Sequence, residues 1–147
     1  MTPILAQVAG ISLIYFAAVI LSLSWAAAAG APASVLVGGQ KVRVIVADTD
    51  ALREKGLGGH AGLAPDEGML FVFEEDAPYG FWMKGMLFSI DILWLDRERK
   101  IVHIAPSVSP QTYPQSYAPP VPARYVLELP AGFASRHNVR VGQSVAW

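Results

Sequence analysis

Residues 68–96 read GMLFVFEEDAPYGFWMKGMLFSIDILWLD, and this stretch decides the fold. It holds Trp82 and Trp94, Met69, Met83 and Met86, and Phe71, Phe73, Phe81 and Phe88. Short apolar runs separated by Gly, Pro and acidic residues are the pattern of strands joined by turns, not of long helices. Within that apolar density Lys84 and Asp91 stand alone as charges. Met69–Phe73 reads as a strand and Glu74–Pro78 as a turn. Tyr79–Lys84 and Ser89–Leu95 read as a hairpin closed by Gly85–Phe88. That register places Lys84 and Asp91 diagonally on one face, with Trp82 opposite Asp91.

Working outward, Ser34–Val37 and Gln40–Ala47 flank Gly38-Gly39, which predicts a hairpin with a tight glycine turn. Thr49 is placed to cap a short helix over Asp50–Lys55, with Gly56 at its end. Leu52 and Leu57 would hold that helix to the core. Arg97–Arg99 turns the chain and Lys100–Ile104 pairs back. Residues 106–122 carry six prolines with Tyr113 and Tyr117 between them, a long loop for a small domain. Arg124–Leu129 reads as a strand, Ala131–His137 as a short helix and Ser144–Trp147 as a last strand. The expected class is α+β: a mostly antiparallel sheet, curved or closed into a partial β-barrel, with two short helices.

No charge precedes Lys41, so all 23 charged side chains fall in the last 107 residues. Residues 4–29 form an uncharged apolar stretch, about 39 Å long as a helix. It reads as a secretory signal peptide, with AAAAGAPA supplying small residues for cleavage, or as a transmembrane anchor. Residues 1–33 are therefore assigned to an apolar leader or anchor helix and 34–147 to the domain. The chain is expected to be exported to the cell envelope, contacting the membrane through residues 4–29 if that segment is retained.

A net charge of −1 with no basic stripe excludes nucleic acid as an expected partner. The absence of Cys excludes disulfides, thiol nucleophiles and Cys-based zinc sites. The acids between Asp66 and Asp76 lack the spacing of an EF-hand loop, and His60, His103 and His137 are too far apart for a local ligand motif. No metal or cofactor is expected. No nucleophile elbow, zinc-protease helix, phosphate loop or dinucleotide fingerprint occurs.

Several tracts share an order with a known family. They are Ala47-Asp48-Thr49, Arg53, Gly56-Leu57, Gly68–Phe71, Phe81–Lys84, Ile90–Ile92, Tyr125–Glu128 and Ala131–Phe133. From Lys41 onward the chain resembles the bacterial and archaeal domain-of-unknown-function family 192. Gly85 stands where that family usually has Asn, and Ile90 where Leu is frequent. The family has no established activity. The resemblance implies an exported domain and a set of positions, and no reaction.

The candidate site residues are Arg53, Trp82, Lys84, Asp91, Tyr113, Tyr117 and Glu128. Lys84 and Asp91, with Arg53 and Glu128, would line a pocket for an anionic or hydroxyl-rich ligand, Arg53 supplying a bidentate fork. The plainer alternative is an ion pair at the mouth of the core, or Lys84 lying over Trp82. Tyr113 and Tyr117 on the proline-stiffened loop would offer flat surfaces to a glycan, a peptide or an envelope protein; otherwise they cover the core. The sequence favours a non-catalytic binding domain. The alternative is a small hydrolase or lyase using Lys84 and Asp91.

Overall fold

A computed structural model describes residues 32–147. The apolar segment at 4–29 lies outside the described residues. Among the described residues no helix is long and apolar enough to cross a membrane. The chain begins with β1 (Ser34–Val37) and β2 (Gln40–Ala47), joined by Gly38 and Gly39. Both glycines have positive φ (55° and 76°), as a two-residue turn matched to strand twist requires. Next comes α1 (Asp50–Lys55), whose N-cap Thr49 accepts the Leu52 N–H on Oγ1 at 3.3 Å.

The remaining strands and α-helix are β3 (Glu67–Ala77), β4 (Phe81–Trp82), β5 (Ile90–Leu95), β6 (Ile101–Val108), β7 (Ser116–Tyr117), β8 (Ala123–Pro130) and α2 (Phe133–Arg136), with a 3-10 turn at Pro110–Thr112 between β6 and β7. Six strands form one sheet in the order β1-β2-β3-β8-β5-β6. Every neighbouring pair is antiparallel except β2 and β3. That parallel pair needs a crossover, which α1 and the glycine-rich loop after it provide. The class is α+β with two short helices, as expected, but the sheet is open and not a closed barrel. The expected last strand is reduced to two isolated bridges, Leu36 with Ala146 and Lys100 with Ser144.

Two further expectations fail. The Tyr79–Lys84 segment does not form a hairpin with β5. Only Phe81 and Trp82 are extended, and they pair with Tyr117 and Ser116 in a separate two-stranded ribbon. The β5 strand is buried at all six positions and is instead flanked by β6 and β8. A strand covered on both faces and apolar at five of its six positions belongs in the sheet interior, with a ladder on each edge. The segment after Glu74 is not a turn either. β3 continues to Ala77 through an irregularity against β8.

Register divides the core into two faces. Residues directly opposite one another point the same way, and successive residues alternate. Leu70, Leu127 and Leu93 lie in one row across β3, β8 and β5. Their face packs with Val42, Phe133, Val139 and Val145. Phe71, Val126 and Trp94 form the neighbouring row on the opposite face, which packs with Leu57, Met83 and Ile90. Each fully buried Leu, Ile or Phe contributes about 1.5–3 kcal/mol by leaving water.

Asp91 lies opposite Leu129, on the face that carries α2. It is fully buried. Its Oδ1 accepts the Ser107 N–H (2.8 Å) and the Gly132 N–H (2.9 Å), and Oδ2 accepts the Ala134 N–H (2.8 Å). β6 bulges opposite Asp91: the register passes from Ile92–Ala105 to Ile90–Val108, leaving Pro106 and Ser107 against one residue. The Ser107 N–H, lost to the ladder, goes to the carboxylate. The same side chain caps the first turn of α2, where Gly132 has a φ of 78°.

Removing the carboxylate strands three backbone donors, the buried one of Ala134 costing about 1–3 kcal/mol and the part-buried ones of Ser107 and Gly132 less. Asp91→Ala is therefore expected to lower stability by roughly 2–4 kcal/mol. Asp91→Asn keeps the two bonds on Oδ1, loses the one from Ala134 and should fall between. Urea midpoints of the three proteins check the order; equal midpoints would sink this account of Asp91.

Candidate functional site

The opposite face of the sheet carries a cavity of about 520 Å³. Its floor is Phe71 and Phe73 from β3 and Glu128 from β8. One wall is the end of α1 with Leu57 and Gly58; the other is the Tyr79–Met86 segment. Three contacts hold the walls. The Gly59 N–H donates to the Gly85 carbonyl at 3.0 Å, tying the loop after α1 to the turn after Lys84. The Trp94 indole N–H donates to the Tyr79 carbonyl at 2.8 Å. Phe81 meets Phe71 edge to face, with centroids 4.8 Å apart.

Arg53 is fixed at the wall by its own bonds. Nη1 donates to the Val72 carbonyl and Nη2 to Asp50, both at 2.6 Å. Its Cζ lies 5.3 Å from the Phe73 ring centroid, and Phe73 stacks on Tyr79. Trp82 is 54% exposed at the mouth, with Lys84 Nζ 5.6 Å from its ring centroid. Cationic groups beside aromatic faces gain about 0.5–1 kcal/mol at exposed sites.

Glu128 is the chemical feature of the cavity. It lies opposite Met69 and Ile92, on the aromatic face, and is 5% exposed. Oε2 has no hydrogen-bond partner among the described residues. Burial pushes the Glu128 carboxyl up to about 8, so it keeps its proton at neutral pH. Gly68 makes room for this strand crossing: a Cβ there would come within 2.6 Å of the Glu128 carbonyl oxygen. The glycine of the Gly-Met-Leu-Phe tract thus keeps β3 close to the residue that presents the acid.

The structure brings four of the expected site residues to one cavity: Arg53, Trp82, Lys84 and Glu128. Tyr113 reaches the mouth from outside, edge-on to Trp82 with centroids 5.9 Å apart. Tyr117 pairs with Phe81 and packs against the core face below the cavity. Asp91 does not belong to this group. Ile92, not Asp91, is level with Glu128, so the two acids point to opposite faces of the sheet. Asp91 therefore cannot pair with Lys84 as expected. Arg124 shares its strand with Glu128 but is bonded to Asp76. Asp76 also takes Arg97, and hydrogen bonds from Arg97 and Arg124 hold its carboxyl below the usual range.

Sequence reasoning missed Phe73, Tyr79, Gly58 and Met86 as cavity residues. The alternation of Phe71 and Phe73 placed both on one face. Nothing local placed Tyr79 against Phe73, because that contact depends on β3 running to Ala77.

The Glu128 carboxyl makes stability depend on pH with a definite sign. The folded protein holds this proton up to about pH 8, whereas the unfolded chain loses it near 4.5. The folded state thus binds more protons between these values, and stability falls as pH rises through the window. By pH 7 the loss amounts to on the order of 3 kcal/mol relative to pH below 4.5. Glu128→Gln should flatten this slope between pH 5 and pH 8. Parallel denaturation series that give both proteins the same slope would refute the assignment.

The domain can be compared with known proteins. The family model DUF192, described as Uncharacterized ACR, COG1430, matches residues 33–147. A UPF0127 protein of Pyrococcus abyssi is 31% identical over 85 residues, covering 56% of this chain and 69% of the relative. One of Thermococcus sibiricus is 31% identical over 109 residues, covering 71% of this chain and 66% of the relative. A crystal structure of a protein of unknown function from Novosphingobium aromaticivorans superposes with a TM-score of 0.74 at 29% identity, over 78% of this chain and 84% of that one. A Sinorhizobium meliloti protein described as a candidate transcription regulator superposes with a TM-score of 0.71 at 30% identity, over 76% and 88%. The open six-stranded sheet, its ordered sequence tracts and the extent of the match together show that the chain belongs to the DUF192 family, whose function is not characterised.

Proposed function

We propose that this is a non-catalytic binding domain of the cell envelope, with the cavity above β3 and β8 as its ligand site. Residues 1–33 would serve as a signal peptide or a retained membrane anchor, placing the domain in the periplasm or outside the cell. The observation that carries the reading is the unpartnered, buried Oε2 of Glu128 on the cavity floor. A buried polar atom left unsatisfied costs about 1–3 kcal/mol, which a ligand can relieve. A volume of about 520 Å³ lined by aromatic rings with a few polar groups is within the range of small-molecule sites. Tyr113, beside Trp82 at the mouth, lets a glycan, a peptide or an envelope protein extend from the cavity across the proline-rich loop.

The alternative of a hydrolase or lyase built on Lys84 and Asp91 has no geometric support. The cavity presents Lys84, while Asp91 lies beneath the opposite face of the sheet with both carboxylate oxygens bonded to backbone N–H groups.

The test is hydrogen-exchange mapping of the full chain in detergent against oligosaccharides, short peptides and small zwitterions. Binding should protect Lys55–Gly58, Tyr79–Met86 and the 111–117 loop together. Trp82→Ala and Lys84→Ala should each weaken the ligand about tenfold. Both residues are exposed, so melting temperatures should hold. No change in exchange at these segments across the panel would overturn the reading.

A further inference from the structure

We propose that the cavity takes a small zwitterion, with its ammonium group against Glu128 at the floor and its anionic group at the mouth. This rests on the cavity being a ligand site and names the chemistry of what enters it. The two polar ends of the cavity differ in kind. At the floor the polar side chain is Glu128, a carboxyl with no counter-ion and no hydrogen bond to Oε2 among the described residues. The chain does satisfy its other buried acid, giving Asp91 three backbone donors. A carboxyl lacking such partners and enclosed by aromatic side chains matches an incoming ammonium. That group supplies the missing donors and opposite charge, and the rings supply negative faces. Phe71, Phe73, Tyr79, Phe81 and Trp82 all line the space.

The mouth has the opposite character. Arg53, Lys55 and Lys84 line the wall with Glu54, and since Arg53 is paired with Asp50 just outside the lining, the charge left over is that of the two lysines against one acid. Two of these cations already lie beside rings that line the cavity, Arg53 by Phe73 and Lys84 by Trp82. An unbalanced cation would be repelled on entry and an unbalanced anion would stop at the mouth. A molecule carrying both charges across an apolar body is complementary to both ends. The ammonium lowers the proton affinity of Glu128, because an opposite charge within about 4–6 Å favours the ionised acid. Binding at neutral pH therefore releases the Glu128 proton to solvent and leaves a carboxylate–ammonium pair.

The probe is 4-(aminomethyl)benzoate, whose ring separates an ammonium from a carboxylate. Its comparators are 4-methylbenzoate, 4-(hydroxymethyl)benzoate and benzylamine. Titration calorimetry of the full chain in detergent at pH 7, in phosphate and in Tris, reads affinity and protons exchanged. The zwitterion should bind about tenfold tighter than each comparator and release close to one proton. Glu128→Gln, which keeps the shape of the protonated acid, should abolish the release and the advantage over 4-(hydroxymethyl)benzoate. Lys84→Ala should abolish the advantage over benzylamine and leave the release intact. If the hydroxymethyl or methyl compound binds as tightly, without proton release, the floor takes a neutral group; the zwitterion assignment fails while the cavity remains a ligand site. If none of the four binds, the assignment fails, and the cavity reading then rests on the exchange maps alone.

Discussion

Three backbone N–H groups converge on the carboxylate of Asp91, and much of the architecture depends on that convergence. It joins three parts of the chain that share no local sequence: the start of β5, the bulge of β6 and the first turn of α2. A bulge leaves an N–H outside the ladder, and a short helix leaves its first donors open. One acid answers both needs inside the core. Three hydrogen bonds to one buried side chain hold both elements to the sheet. The result is one sheet face closed by α2 and the C-terminal segment, with Phe133, Val139 and Val145 packed on Leu93 and Leu127.

The other face is closed differently, and the difference creates the site. That face is covered by a one-and-a-half-turn helix, a glycine loop and the irregular Tyr79–Met86 segment, and the gap between them is the cavity. Glu128 is one position out of step with Asp91 across the β5–β8 ladder, and that single step puts it on this face. The period of two in a strand thus separates two buried acids into one satisfied by the backbone and one facing open space. Their chemical fates follow from the face, not from the residue type.

Local chemistry was legible in the sequence. The glycine turn of the first hairpin, the Thr49 cap and the extent of α1 all depend on neighbours within a few residues, and each appears where the pattern placed it. Lys84, Arg53, Trp82 and Glu128 drew notice as charged or aromatic groups in apolar or ordered tracts, and they do share a cavity. Pairing between distant strands was not legible. Tyr79–Lys84 and β5 are adjacent in sequence and separated by a loop of hairpin length, so a hairpin was the economical reading. The longer ladders of β5 with β6 and β8 take its edges instead, leaving Phe81 and Trp82 to β7. Assigning Asp91 to a pocket with Lys84 followed from that one wrong pair. The parallel pairing of β2 with β3 had no local signal either, since the glycine-rich loop before β3 reads equally well as a plain connection.

The unsatisfied acid bears on function through stability. Single domains have a margin of only about 5–15 kcal/mol, and a buried carboxyl without partners removes a noticeable part of it. Exchanging Glu128 for an apolar side chain would remove that burden without disturbing the ladder. The surrounding geometry is also costly to assemble by chance. Gly68 must lack a Cβ for the strand to approach, the Trp94 indole must hold the Tyr79 carbonyl, and Arg53 must be bonded at Val72. These contacts fix the walls before anything enters, so a ligand need not order them, and ordering is a main cost of binding. A destabilising group on the floor of a preorganised cavity supports the proposed ligand site, since a purely structural core would gain stability by losing it.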